Sequence, residues 1–426
     1  MSSTITRRAA IATVTASLST LQTRSHGDSV VPGRSDQTLD RIYGMLIGSF
    51  IGDAAGGPVE FAAAEVVTDV MPNARAWPDS QKLNNDHLLY LADSFPLLSY
   101  EVLRPDAAPY GPWKTNAPTG TITDDSRMKI ILMRAIQRSV NDQEGTLTQA
   151  DIAREILRFQ PRTDEAPDDI LEALITEGMA EYRLASRWLL GERNEAVALP
   201  VERLWGGVAN CSGQMMLPPL AALFSGKPEQ AYRLTYALDF IDTPKARDMC
   251  AALNAGLAAA LSSDLNNSSP RERWTALMDA MTITDPFRYR DIRYVGRPLH
   301  RWLNLARSLA ADAKGSPAAL YHLLETKGSP VYWWDAHFTL LVPLAMLYLC
   351  NFNALAAMHL CLDFGHDTDS YAQVLGAMAG AVHGSTLFAA AHQEAVAVRL
   401  KADFGEDLQR WSQTLSAGTV HDGAIR

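Results

Sequence analysis

Phe364-Gly365-His366-Asp367-Thr368-Asp369-Ser370 places two carboxylates and two hydroxyls within four residues. The glycine ahead of them lets the backbone turn. The run from Tyr371 to His383 then reads as a helix with small residues at Ala372, Gly376, Ala379 and Gly380. The acidic cluster therefore sits on the loop that opens a closely packed helix. Carboxylates at i and i+2, with hydroxyls beside them, form a hard oxygen set that suits Mg²⁺, Mn²⁺ or Ca²⁺ better than zinc. The plainer alternative is that Asp367 and Thr368 only cap the helix, a routine use of both residue types.

A second cluster far upstream, Thr121-Ile122-Thr123-Asp124-Asp125-Ser126, also precedes a helical pattern, with Met128, Ile131, Leu132, Ala135 and Ile136 on one face. Two such helix starts read as two halves of one site. If they meet, each like-charged pair at about 4 Å costs on the order of 4 kcal/mol at an effective dielectric of 20. Cations or buried basic groups must offset that. Neither cluster holds an Arg or Lys, and only Arg127 and Lys129 lie beside the upstream one.

Leu39 to Phe50 reads as a helix, with Gly44, Gly48 and Gly52 at every fourth position. Glycine weakens a helix relative to alanine, so three in register point to a second backbone packed against this face. Asp53 and Glu60 interrupt the apolar run and argue against a membrane span. Helix gives way at Gly56-Gly57-Pro58, leaving Glu60 just past the break.

The chain has 426 residues, 47% hydrophobic and 20% charged, as in a soluble globular protein able to bury a sizeable core. Its net charge of −10 disfavours nucleic acid as a partner. Cys211, Cys250, Cys350 and Cys361 lie in apolar contexts without C-x-x-C spacing, which reads as buried thiols, with a Cys350–Cys361 bridge the minor alternative. Thr6-Arg7-Arg8 precedes the uncharged run Ala9 to Leu21 and a Gly/Ser/Pro stretch to about Asp36. That is the layout of a twin-arginine export signal, although no clean A-x-A site follows. Residues 1–36 are expected to be signal and linker, with a periplasmic or secreted product, or a cytoplasmic one if the signal reading fails. Residues 37–426 are expected to form one domain.

Three signatures in order resemble the ADP-ribosylglycohydrolase family, whose members carry G-D-A-x-G-x-P-x-E, then T-D-D-[TS], then G-G-D-T-D-[TS]. The chain reads Gly52-Asp53-Ala54-Ala55-Gly56-Gly57-Pro58-Val59-Glu60, Thr123-Asp124-Asp125-Ser126 and Gly365-His366-Asp367-Thr368-Asp369-Ser370. The likeness spans roughly residues 39–390 and implies an all-α fold, an orthogonal multi-helix bundle. It also implies a two-Mg²⁺ centre (Mn²⁺ as substitute) on Thr123, Asp124, Asp125, Asp367, Asp369 and Ser370, with Glu60 as catalytic carboxylate and Asp53 in a structural role. Gly365 and His366 would line the substrate, His366 standing where the family prefers glycine. Trp205 to Met216 resembles, loosely, the family's G-N-G-[AS]-x-M-R segment and would bring Asn210 and Ser212 to the substrate. Met216 occupies the place of a common arginine.

The gap between Glu60 and Thr123 is longer than the family norm, which marks residues 62–120 as an insertion beside the site. Thr284 to Pro298 interleaves Arg288, Arg290, Arg293 and Arg297 with Phe287, Tyr289 and Tyr294, as either a phosphate grip or a surface loop. Phe338 to Cys350, broken by Pro343, reads as a core helix, and Trp333 and Trp334 ahead of it as core, with a stacking wall for a sugar or base as the alternative. Residues beyond Ala390 read as a polar, peripheral tail. Taken with the resemblance, the expected function is hydrolysis of the N- or O-glycosidic bond at the anomeric carbon of an ADP-ribosyl group. The alternatives are an exported glycoside or nucleoside hydrolase of the same mechanism and a non-catalytic metal-binding scaffold. A small-molecule substrate is expected, with no integral membrane segment; the oligomeric state is not encoded in any motif.

Overall fold

A computed structural model describes residues 36–62, 77–78, 80–97, 118–141, 147–159, 180–283, 298–328 and 330–418. The export-signal stretch, residues 63–76 and 98–117 of the insertion and the arginines of the 284–297 loop lie outside the described residues. The described chain is all-α. Its helices are α1 (Asp36–Gly56), α2 (Asn85–Asp93), α3 (Asp124–Asn141), α4 (Gln149–Arg158), α5 (Ala180–Leu189), α6 (Ser212–Met216), α7 (Leu220–Leu223), α8 (Pro228–Leu238) and α9 (Pro244–Ala260). They continue with α10 (Pro270–Ile283), α11 (Pro298–Asp312), α12 (Pro317–Lys327), α13 (Ala336–Leu349), α14 (Ala354–Phe364), α15 (Thr368–His383), α16 (Ala390–Phe404) and α17 (Leu408–Ala417). Among the described residues the backbone forms no strand beyond one antiparallel bridge, Asn210 to Asp335.

Local chemistry sets many of the boundaries. Asn84 and Thr148 close capping boxes on α2 and α4, and Asn353, Ser316 and Asp407 cap α14, α12 and α17. Proline opens α8, α9 and α12 at the first turn, where its missing N–H is not needed. α13 keeps Pro343 inside, and its first twelve residues, Ala336 to Leu347, are all buried. No helix among the described residues is long and apolar enough to cross a membrane.

The pairing of α1 with α15 is the most extensive in the molecule. The expected glycine stripe makes it possible. A methyl group on Gly44, Gly48 or Gly52 would collide with the backbone of Gly380, Gly376 or Ala372, and the reverse holds for Gly376 and Gly380. α1 is longer than its apolar pattern indicated and continues through Asp53 to Gly56. Gly56 lies against the backbone of Asp369, so the stripe ends on the acidic loop itself.

The C-terminal region departs from the expected peripheral tail. α16 and α17 bury Val396, Leu400, Phe404, Leu408, Trp411 and Leu415, spaced to give each helix an apolar face. Trp411 meets the Phe50 ring of α1 edge-on at 5.9 Å. The four cysteines are free and buried, so Cys350 and Cys361 are not bridged. Within the 62–120 insertion, α2 packs on α14: His359 Nδ1 lies 2.9 Å from the Leu91 carbonyl, and Trp77 Nε1 donates to Asp363 at 2.8 Å.

Candidate metal centre and active site

α1 positions both acidic clusters. At its C-terminal turn Asp53, fully buried, accepts the backbone N–H groups of Thr123 at 3.1 Å and Ser126 at 3.2 Å, and the Thr123 hydroxyl at 2.5 Å. The start of α3 is thereby capped from another helix, and Asp53 is a structural acceptor. Three residues on, the Gly56 carbonyl accepts the Thr368 hydroxyl at 2.7 Å and anchors the start of α15. After the turn Gly57–Val59, Glu60 is buried, and the Phe61 N–H donates to the His366 carbonyl at 2.9 Å.

The two clusters therefore meet. Glu60, Asp367 and Asp369 offer carboxylate oxygens within 4.8 Å of one another, and so do Asp124, Asp125 and Asp369. Asp369 belongs to both sets. Ser370 Oγ donates to Asp125 at 3.2 Å, and the Ser370 N–H to Asp369 at 2.9 Å, which ties the loops together. Asp367 is the N-cap residue of α15 by position but makes no cap hydrogen bond. Its Oδ2 is buried without a hydrogen-bond partner among the described residues. Capping is thus not what this carboxylate does. Asp124 is the open side of the cluster, with its side chain 34% exposed, whereas the other four acids are nearly sealed.

The electrostatics follow from crowding and burial. Burial, then the charges of Asp369 and Asp124, push Asp125 well above the usual carboxylate range. Burial and Asp369 do the same to Asp367, and burial with Asp124 and Asp53 raises Asp369 to about 7. Lys129, one turn after Asp125, is buried and donates to the Asp125 carbonyl at 3.1 Å. Burial lowers its pKa, and Asp125, Asp53 and Asp369 oppose that. Lys129 and the buried Arg127, whose guanidinium lies 4.0 Å from Asp124, are outnumbered by Glu60, Asp124, Asp125, Asp367 and Asp369, so the cluster keeps an excess of acid. Together with the orphaned Asp367 oxygen, this donor set of carboxylates and hydroxyls fits a hard divalent cation. Thr123 Oγ1 donates to Asp53 and accepts from the Asp125 N–H at 3.2 Å, which leaves one lone pair for such an ion.

The Asn210–Ser212 segment borders the cluster through a residue that its motif did not single out. Cys211 Sγ lies 3.7 Å from Ser370 Oγ. Asn210 Oδ1 accepts the Cys211 N–H at 2.5 Å, and the Ser212 hydroxyl pairs with Tyr182 at 3.1 Å. Behind them Asp242 accepts the Gly213 N–H at 2.9 Å, beside Asp239. Met216 is part of the core. Gly365 and His366 both carry left-handed backbone, φ +79° and +63°. The His366 ring stacks on Trp333 at 3.6 Å, and its Nε2 lies 3.3 Å from Glu325. Trp333 and Trp334 are only partly buried and stand beside this loop, not within the core as their type alone suggested.

An ADP-ribosylglycohydrolase family profile matches residues 34–418. The chain is 23% identical over 352 residues to the uncharacterized protein YegU of Escherichia coli (strain K12), which covers 81% of this chain and 88% of the relative. Among solved structures, a chain of an ADP-ribosylglycohydrolase-related protein complex superposes with a TM-score of 0.51 at 18% identity, over 90% of this chain and 100% of that one. With its acid-lined site and its all-α fold, the chain belongs to the ADP-ribosylglycohydrolase family and is a hydrolase.

Proposed function

We propose that the chain is a binuclear-metal-dependent hydrolase that cleaves the glycosidic bond at the anomeric carbon of an ADP-ribosyl group. The observation that carries this reading is Asp369, shared by two carboxylate triads, beside the unpartnered Asp367 oxygen. Thr123, Asp124, Asp125, Asp367, Asp369 and Ser370 are the residues that would hold two Mg²⁺ ions, or Mn²⁺. Bound there, the ions supply positive charge for the vicinal hydroxyls of the sugar and acidify the attacking water. Glu60 is buried within reach of Asp367 and Asp369. It holds or moves the proton at the reacting bond as general acid or base. Asp53 and Thr368 keep the two loops in register, and Asp124 stands at the entrance.

A second reading keeps the metal mechanism and replaces ADP-ribose by a simpler nucleoside or glycoside. It is favoured by Met216, a buried apolar side chain where the family commonly has an arginine able to meet a phosphate. Glu60→Gln tests the shared mechanism: turnover of an ADP-ribosyl or ribosyl substrate should vanish while calorimetry still registers Mg²⁺ binding. An active Glu60→Gln enzyme would remove Glu60 from its role.

A further inference from the structure

Beside the acid cluster the chain builds an aromatic surface that the proposed metal chemistry does not use. The Tyr332 and Trp334 rings are parallel, 4.9 Å apart with 8° between planes. Phe61 meets Trp334 edge-on at 5.9 Å. Tyr332 remains 44% exposed. An exposed tyrosine stacked on a half-buried tryptophan presents a flat, apolar face with a polar rim, which suits a planar ring better than a chain.

The surface is fixed to the site at two points. Phe61 follows Glu60 directly, and its N–H is bonded to the carbonyl of His366, which precedes Asp367. Both residues hold left-handed backbone, φ +48° at Phe61 and +63° at His366. For a bulky side chain such a conformation costs energy and persists only where its surroundings impose it. Trp333 is clamped from either side, its carbonyl by the Tyr371 hydroxyl at 2.7 Å and its ring by His366. His366 and Phe61, the sequence neighbours of Asp367 and Glu60, thus hold Trp333 and Trp334, and Tyr332 through Trp334, beside the Glu60–Asp367 part of the cluster.

We propose that Tyr332 and Trp334, flanked by Phe61, seat a flat aromatic ring carried by the substrate's leaving group, a nucleobase or an aryl group. This rests on the glycosyl-hydrolase reading above, because the Glu60 side of the site is where the departing group takes its proton. The seat makes the enzyme selective for ribosides with a planar aglycone over those with a small or aliphatic one.

Non-hydrolysable probes test the seat by calorimetry in Mg²⁺: a phenyl C-riboside, a purine C-nucleoside, ring-free 1,4-anhydroribitol, and ADP-ribose. The wild type should bind both ring-bearing ribosides about tenfold tighter than 1,4-anhydroribitol, within the range of single-ring stacking. Tyr332→Ala, at an exposed position that leaves the fold intact, should erase most of that advantage and leave 1,4-anhydroribitol unchanged; Trp334→Leu should act in the same direction. Preference for only one of the two ring types identifies the aglycone as nucleobase or aryl and supports the seat. Unchanged binding of both C-ribosides to Tyr332→Ala would overturn the proposal. Weaker ADP-ribose binding with intact C-riboside binding would also overturn it, by placing the ring on the retained side. Asp369→Asn separates the two readings: if it leaves sugar binding intact while Tyr332→Ala still weakens the ring probes, the metal-hydrolase reading fails and the seat stands.

Discussion

Thr123 gives both its backbone N–H and its hydroxyl to Asp53, so one helix caps another exactly where the acid cluster begins. Asp53→Ala would leave the N–H groups of Thr123 and Ser126 buried without acceptors. Hydrogen bonds to a charged group contribute roughly 1.5–3 kcal/mol each and are not additive here. A loss of about 3 kcal/mol is expected, read as a lower urea midpoint, together with weaker Mg²⁺ binding because Thr123 and Asp124 lose their register.

The α1–α15 contact is backbone on backbone. Gly48→Ala places a methyl group against the Gly376 carbonyl and the Phe388 ring. Neither helix can retreat without moving Gly56 from Asp369. Overpacking usually costs about 1–3 kcal/mol, and this site should reach the upper end, with a fall in melting temperature measurable by calorimetry.

Much of this was legible from residue type and spacing. The period of Gly44, Gly48 and Gly52 announced a close helix partner, and the hydroxyl-rich acids announced a cluster that could hold a cation. Their convergence was not legible, because nothing local in Asp125 and Ser370, 245 positions apart, encodes the hydrogen bond between them. It came from the family resemblance and is visible here as geometry. Lys129 stood in plain sight beside the upstream cluster, yet its burial depends on the helix presenting it inward, toward Asp53 and Asp369. The C-terminal helices were misread because Leu400, Phe404, Leu408 and Trp411 are sparse among polar residues, and sparse apolar positions on one face suffice for docking. The hydrogen bonds of Asn210 Oδ1 to the Cys211 N–H and of Ser212 to Tyr182 depend on chain folding that no motif states.

Lys129 is a buried cation of the cluster, on the Asp125 side, with Arg127 beside Asp124. Lys129→Met leaves the buried acids without it, and breaking a buried charge arrangement typically costs about 3–5 kcal/mol. The variant should be strongly destabilised in a chelator and partly restored by millimolar-range Mg²⁺, as followed by thermal melts with and without the metal. Equal destabilisation in both conditions would show that the ammonium does not share the cation's task.

Asp239 and Asp242 form a separate buried acid pair behind Gly213. Burial is the main cause that lifts both, Arg247 opposing it at Asp239, which sits at about 6, and the Asp239 charge adding to it at Asp242. Both folded values lie above the unfolded value of roughly 3.9. The folded state therefore holds more protons: the stabilisation from Asp239 is complete below about pH 4 and lost as pH rises through about 6, and that from Asp242 falls in the same direction. Asp242→Asn should flatten that decline between pH 5 and 8 in urea titrations, whereas an unchanged pH dependence would show that Asp242 does not take part in it.

The most direct test of the account is Mg²⁺-dependent hydrolysis by the purified chain, with ADP-ribosyl-arginine, O-acetyl-ADP-ribose, nucleosides and aryl ribosides as substrates and Asp369→Asn as control. Asp369 belongs to both carboxylate triads, so the account predicts turnover that needs a divalent cation and disappears in Asp369→Asn, while the variant stays folded. Undiminished hydrolysis in Asp369→Asn, or metal binding without turnover on any of these substrates, would contradict it.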